Sequence, residues 1–317
     1  MLVRTSTSAI IGLILSAVCQ SAFAQNPVKS DPEERTFTLS VPVNEVNVMF
    51  HASDSKGLPL ENLRKADLQL FDNGKLQDRL VVFREYRDLP IRVGFLLDNS
   101  PSMQSELDRS QAIATELTKE FFRAKSDRAF TMGFGVSIKL TQDWTEDSDS
   151  VSKGISTALL KEANEPDGTA MYDAVYKACR DRFSSEAPTV SGNFILLFTD
   201  GEDNSSHVWE SKAVDTCQRA RTAIYVFTPG WKARESRGQQ LLEDLTSKTG
   251  GRVFYEGKHS VRDGLAATVA DMRYQYELIY APSGLKRDGS FHRIRLHCIV
   301  PHSQIQVRSG YYAYAKP

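Results

Sequence analysis

The sequence lacks an excess of charge of either sign. Its 39 Lys and Arg stand against 40 Asp and Glu, a net charge of −1, so no basic footprint for nucleic acid is visible. It lacks long apolar runs beyond Ala9 to Val18 (AIIGLILSAV), which is too short for the roughly 20 residues a membrane span needs. The processed chain is therefore expected to be soluble. Cysteine is scarce: there are four, with no CxxC pair and no Cys/His ligand spacing, which argues against a zinc site. The six histidines are scattered, none at metal spacing to another. No P-loop and no G-x-S-x-G elbow occurs, and Gly133-Phe134-Gly135 lacks the third glycine of a nucleotide fingerprint.

The first 24 residues read as an export signal. Arg4 supplies the positive start, Ala9 to Val18 the apolar stretch, and Ala22-Phe23-Ala24 a small-x-small cleavage site that would leave Gln25 first. A lipid anchor at Cys19 is the competing reading, and Val18 argues against it where a lipobox wants a small residue. The expected location is exported, periplasmic or secreted. Cleavage leaves 317 − 24 = 293 residues, enough for one large domain or one domain with a smaller companion.

Residues 25–35 (QNPVKSDPEER) read as a disordered N-terminus. Residues 36–88 read as β. Val46, Val48 and Phe50 alternate with Glu45, Asn47 and Met49, and Asp72-Asn73-Gly74-Lys75 reads as a tight hairpin turn with Leu80 to Phe83 as the return strand. From residue 89 the pattern changes. IRVGFLLD (91–98) and FILLF (194–198) are continuous apolar runs, as in strands buried on both faces of a parallel sheet. Strands at 130–134, 137–140, 223–227 and 252–255 alternate with helices at about 105–123, 170–183, 208–219, 238–248 and 260–272, and Gly250-Gly251 should cap the penultimate helix. Residues 273–317 return to β, with strands at 276–280, 293–298 and 305–308. Neither flank can hide a core alone. The expected architecture is an α/β, Rossmann-like, doubly wound and mostly parallel sheet over 89–272, inserted in a small β-sandwich formed by the two flanks.

Strand 91–98 ends in Asp98-Asn99-Ser100-Pro101-Ser102, which sets a carboxylate and two hydroxyls at alternate positions past the carboxyl end of a central strand. Open α/β sheets bind ligands there. Strand 194–198 leads to Asp200, and Asp167-Gly168-Thr169-Ala170 presents a further hydroxyl before a helix. These loops offer only oxygen donors, which suit hard cations such as Mg²⁺, or Mn²⁺ and Ca²⁺. The set Asp98, Ser100, Ser102, Thr169 and Asp200 resembles the metal-ion-dependent adhesion site of von Willebrand factor A and integrin I domains. The resemblance covers about residues 90–272. It implies a Rossmann-like sheet with one antiparallel edge strand, Ser100 and Ser102 as direct ligands, Asp98 and Asp200 as charge-compensating carboxylates, and Thr169 as a switchable ligand. It also implies a partner protein whose acidic side chain completes the coordination. The stretches DLQLFDNGKLQ, DGTAMYDAVY, FTDGEDN and RIRLHCIVPHSQIQVRSGYYA are similar to a bacterial family of exported proteins known as "VWFA-related", whose functions are largely unassigned.

Plainer readings stand beside these. Ser and Asp are ordinary turn residues. Glu202 and Asp203 solvate a loop, or serve as outer-shell groups or a general base; His207 reads as a surface residue. Cys179 and Cys217 lie on apolar faces of neighbouring helices, either as a disulfide or as two small core residues, and Cys298 reads as core. The leading expectation is a non-enzymatic, metal-dependent binding module. The alternatives are a metal-dependent hydrolase using Asp98, Asp200, Glu202 and Asp203, and a scaffold that binds through the β-sandwich.

Overall fold

The computed structural model describes residues 45–123, 125–160, 166–184, 192–229, 237–255 and 261–313, within one compact unit that starts at Val43. The export signal, the 25–35 segment and the β reading of 36–44 lie outside the described residues.

The chain enters on β1 (Val46–Ser53), whose alternating apolar residues face inward, and reaches the β2 (Leu68–Asp72) and β3 (Lys75–Gln77) hairpin. Asn73 and Gly74 at its tip both have positive φ, 48° and 79°. That is the two-residue turn whose twist matches the flanking strands. The return strand differs from the expectation. The hairpin closes after three residues, and β4 (Leu80–Arg87) crosses to another sheet and pairs with β11 (Tyr274–Tyr280). Apolar patterning gives the face of a strand but not its neighbour, which is why the partner was misread.

Then follow β5 (Ile91–Asp98), α1 (Leu107–Phe121), β6 (Arg128–Phe134), β7 (Ile138–Thr145), α2 (Ser148–Ala158) and α3 (Met171–Lys177). After these come β8 (Gly192–Phe198), α4 (Glu210–Arg219), β9 (Thr222–Thr228), α5 (Arg237–Thr249), β10 (Val253–Tyr255) and α6 (Val261–Arg273). The strands line up as β10-β9-β8-β5-β6-β7, parallel except for the antiparallel edge strand β7. All eight residues of β5 are buried because helices cover both faces. Leu96, Ile195 and Leu197 pack with Val175, Val214 and Leu242 of α3, α4 and α5. Val93, Phe95 and Leu196 pack with Leu117, Ile155 and Leu265 of α1, α2 and α6. Each such side chain contributes roughly 1.5–3 kcal/mol by leaving water. Gly250, at φ 93°, ends α5 by donating its N–H to the Thr246 carbonyl, as the Gly-Gly pair implied.

Two elements were not anticipated. α2 is N-capped by Asp147, which accepts the Ser150 N–H at 3.0 Å. The helix expected over 170–183 is α3 continued by a π-helical segment, Ala178–Phe183, in which the Ser184 N–H reaches back five residues to the Cys179 carbonyl.

The two flanks interleave. β1, β11 and β4 join β13 (Gln304–Val307) in one four-stranded sheet, while β2 and β3 join β12 (Phe291–Cys298) and β14 (Gly310–Tyr312) in another. Val48, Phe50, Leu70, Tyr276, Leu278 and Ile294 form the apolar layer between them. The inserted segment starts and ends at one place: Arg87 pairs with Tyr274, and the Asp88 N–H donates to the Arg273 carbonyl at 2.9 Å. Among the described residues no helix is long and apolar enough to cross a membrane.

Candidate metal centre

β5 and β8 are adjacent and parallel, so their carboxyl ends deliver Asp98 and Asp200 to one edge of the sheet. Asp98 is fully buried. Its Oδ1 accepts the Ser100 N–H at 2.9 Å, and its Oδ2 accepts the Thr199 hydroxyl at 2.6 Å. Thr199 also accepts the Gly201 N–H at 3.2 Å, and Asp200 accepts the Glu202 N–H at 3.0 Å, so the loop curls on its own side chains. After Ser100 a short 3-10 turn, Pro101–Glu106, starts on a proline that suits the missing N–H of a helical first turn. This turn sets the Ser100 and Ser102 hydroxyl oxygens 3.2 Å apart, the first buried and the second open to solvent.

Thr169 is buried and held from the Asp200 side. Its N–H donates to Asn204 Oδ1 at 2.9 Å, and its carbonyl accepts the N–H groups of Asn204 and Ser205 at 3.1 and 3.0 Å. Gly168 permits this contact. Its φ is +151°, and a Cβ there would lie 2.3 Å from Ser205 Oγ. Asp203 accepts the Tyr172 N–H at 3.0 Å and the Ser206 hydroxyl at 2.6 Å, capping the first turn of α3. Its oxygens are committed to the loop, so it is a poor candidate for a general base. Asp173 returns the contact by accepting the Val208 N–H at 2.7 Å. His207 is an exposed side chain with Nδ1 3.0 Å from Asp173. On the other side, Asn99 donates its side-chain amide to the Ala158 carbonyl at 3.1 Å, which docks the end of α2 beside the 98–102 loop.

The structure thus brings Asp98, Ser100 and Ser102 into direct contact, sets Asp200 within electrostatic reach of Asp98, and ties Thr169 by backbone hydrogen bonds to the turn after Asp200. Sequence reasoning missed Thr199, Asn99, Asn204 and Asp173. The hydroxyl immediately before Asp200 was the one available signal.

The electrostatics point to a missing positive charge. Burial pushes the Asp98 pKa up to about 6; the hydrogen bonds from Ser100 and Thr199 pull it down, and the neighbouring Asp200 pushes it up further. Neither Asp98 nor Asp200 pairs with a Lys or Arg among the described residues. A buried carboxylate without a cation is costly. The donors are all oxygens, and adjacent ligands of an octahedral ion with bonds of about 2.0–2.1 Å sit roughly 2.9 Å apart, near the spacing of the two serine hydroxyls. The residues therefore fit a hard divalent ion. Among the described residues no group of three or more His, Cys, Asp or Glu side chains gathers. The candidate site, with two carboxylates and three hydroxyls, falls outside that pattern because its oxygen donors are mostly neutral.

Behind the centre, Cys179 and Cys217 form a disulfide with Cα atoms 5.0 Å apart, so the first of the two readings for this pair holds. It joins the π-helical segment after α3 to α4. Cys298 is a buried free thiol.

The family model described as "von Willebrand factor type A domain" matches residues 93–263, more than half of the chain. A curated relative, the calcium-activated chloride channel regulator 1 of Bos taurus, is 30% identical over 169 residues, which cover 52% of this chain and 17% of that one. The chain thus spans under a fifth of that relative's length. Among solved structures, the von Willebrand factor type A protein of Catenulispora acidiphila aligns with a TM-score of 0.45 at 13% identity, over 81% of this chain and 75% of its own. The proximal thread matrix protein 1 of the mussel byssus, with a zinc-occupied MIDAS motif, aligns with a TM-score of 0.47 at 12% identity, over 63% of this chain and 50% of its own.

Proposed function

Since this chain belongs to the von Willebrand factor type A family, whose domains commonly mediate protein interactions and bind a divalent metal, we propose that it is an exported module that captures a partner protein through a metal ion held by Asp98, Ser100, Ser102, Thr169 and Asp200. The observation that carries the reading is the buried Asp98 carboxylate, which lacks a cationic partner beside a hydroxyl pair that opens to solvent. Ser100 and Ser102 would bind the ion directly. Asp98 and Asp200 would balance its charge, and Thr169, fastened to the Asn204 turn, would close the ligand set from the far loop. When bound, the ion (Mg²⁺, Mn²⁺ or Ca²⁺) supplies a Lewis-acidic position that accepts a carboxylate from the partner. The chain holds its ligands ready: Thr199 fixes one Asp98 oxygen and the Ser100 N–H fixes the other. Export is supported by the pattern of residues 1–24 and by the Cys179–Cys217 disulfide, since such bonds persist in oxidising compartments.

Calorimetric titration of Mg²⁺ and Mn²⁺ into metal-free protein, beside Asp98→Ala, tests the site. Saturable binding lost in the variant is the expected result. Equal binding by both proteins would remove Asp98 from the site, and no binding by either would remove the metal.

A further inference from the structure

Far from the metal centre, the end of α4 meets the β-sandwich in an arginine-lined seam. A cavity of about 250 Å³ opens there, lined by Arg219, Arg221, Arg287 and Arg308 together with Glu45 and Asp215. Both Asp215 oxygens are engaged by Arg219 at 3.0 Å. An adjoining cavity of about 520 Å³ shares Arg219 and Arg221 and adds Arg84, Arg92 and Glu277, whose carboxylate accepts from Arg84 at 2.9 Å and lies 3.8 Å from Arg221. This concentration of cations stands out in a chain whose net charge is −1.

Two residues mark the pocket as more than a basic surface. Arg308 donates an Nη2 hydrogen bond to the Asn47 carbonyl at 2.7 Å, while its Nε is shielded from solvent and has no hydrogen-bond partner. The charged and polar groups that act on it are Tyr280, Tyr311 and Arg221 rather than a carboxylate, and burial pushes its pKa down to about 10. Arg308 is half-buried, with its guanidinium 5.8 Å from the Tyr311 ring centroid, and its shielded, unpartnered Nε is a donor that an arriving oxyanion would satisfy. Arg221 follows the C-terminus of α4 at φ 52°, a position that glycine occupies at least cost. The chain keeps a long cation there instead, and it lines both cavities.

We propose that this pocket binds a small, multiply charged oxyanion of the phosphate class through Arg221 and Arg308. The site is independent of the metal centre, so either can fail alone. The test is thermal unfolding and calorimetric titration of the whole exported protein with inorganic phosphate, in chelator and at ionic strength matched with chloride. Phosphate should raise the unfolding midpoint by roughly 3–5 °C for each tenfold above its Kd. Arg308→Gln should lose that rise. Arg221→Gly, which relieves the positive-φ backbone but gives up the Glu277 contact, should also lose the rise. Asp98→Ala should keep it. A midpoint that follows chloride equally, or a phosphate response that survives in both arginine variants, would overturn the assignment.

Discussion

Asp98 carries a charge that the fold itself does not neutralise. Its two bonds, to the Ser100 N–H and the Thr199 hydroxyl, come from neutral donors, and its charged neighbour is Asp200. Replacing it with Ala removes a buried charge and orphans two donors, effects of opposite sign. We expect Asp98→Ala to stay folded within about 2 kcal/mol of the parent in chelator while losing all cation-induced rise in the unfolding midpoint. Gly168 makes a sharper case. Ala at φ +151° would press its Cβ on Ser205 Oγ and loosen the turn that grips Thr169. Gly168→Ala should cost about 1–3 kcal/mol in denaturant unfolding and weaken cation affinity in the same sample. Asp98 stood out as a candidate because an apolar run that stops on Asp marks the end of a buried parallel strand. Thr199 was not legible as the partner of Asp98. That bond depends on β5 and β8 lying side by side in register, which no spacing within either strand reveals.

At the scale of elements, the Thr169 and Asp200 loops are each followed by a helix, and the Cys179–Cys217 disulfide fastens those helices behind the site. The bridge closes a loop of 38 residues, for which chain entropy gives about 4 kcal/mol. Replacing both cysteines with Ala should lower the unfolding free energy by about 2–4 kcal/mol, read by urea titration. It should also reduce cation affinity, because the helix after Thr169 loses its covalent tie to α4. The pairing could not be decided from sequence, since two small apolar residues on facing helices look alike whether bonded or not. α2 escaped notice for another reason. Its segment SDSVSKGISTA is rich in serine and carries only Val151, Gly154, Ile155 and Ala158 as a buried stripe, a weak signal beside its capping Asp147. Strong apolar strands read clearly, whereas helices built from small polar residues do not.

For the whole molecule, the seam between the α/β body and the sandwich is polar as well as apolar. Glu277 of β11 sits within it, buried, and accepts from Asn47, Arg84 and Tyr86. Burial alone would raise its pKa, but those hydrogen bonds together with Arg221 hold it below the usual value. A lowered carboxylate contributes stability that is present above its unfolded pKa of about 4.5 and is lost as pH falls through the folded value. Urea unfolding followed from pH 7 to pH 3 should therefore show an acid-side loss that is smaller in Glu277→Gln than in the parent, with the remainder carried by other lowered carboxylates such as Asp143 and Asp173. The sandwich was foreseen from the shortage of strands in either flank, but the seam was not, because its members are spread from Asn47 to Arg308.

The place where the inserted body joins the sandwich has a mechanical consequence. β4 runs into it and β11 runs out of it at the same end of one antiparallel ladder, and α6 passes into β11 with no linker between Arg273 and Tyr274. Under the proposed function, a partner pulling at the Asp98 edge would draw both strands in the same direction, so their mutual hydrogen bonds would not be sheared. Such a load would reach the pairing of β1 with β11, which holds the strand pair to the rest of its sheet through five registered residue pairs.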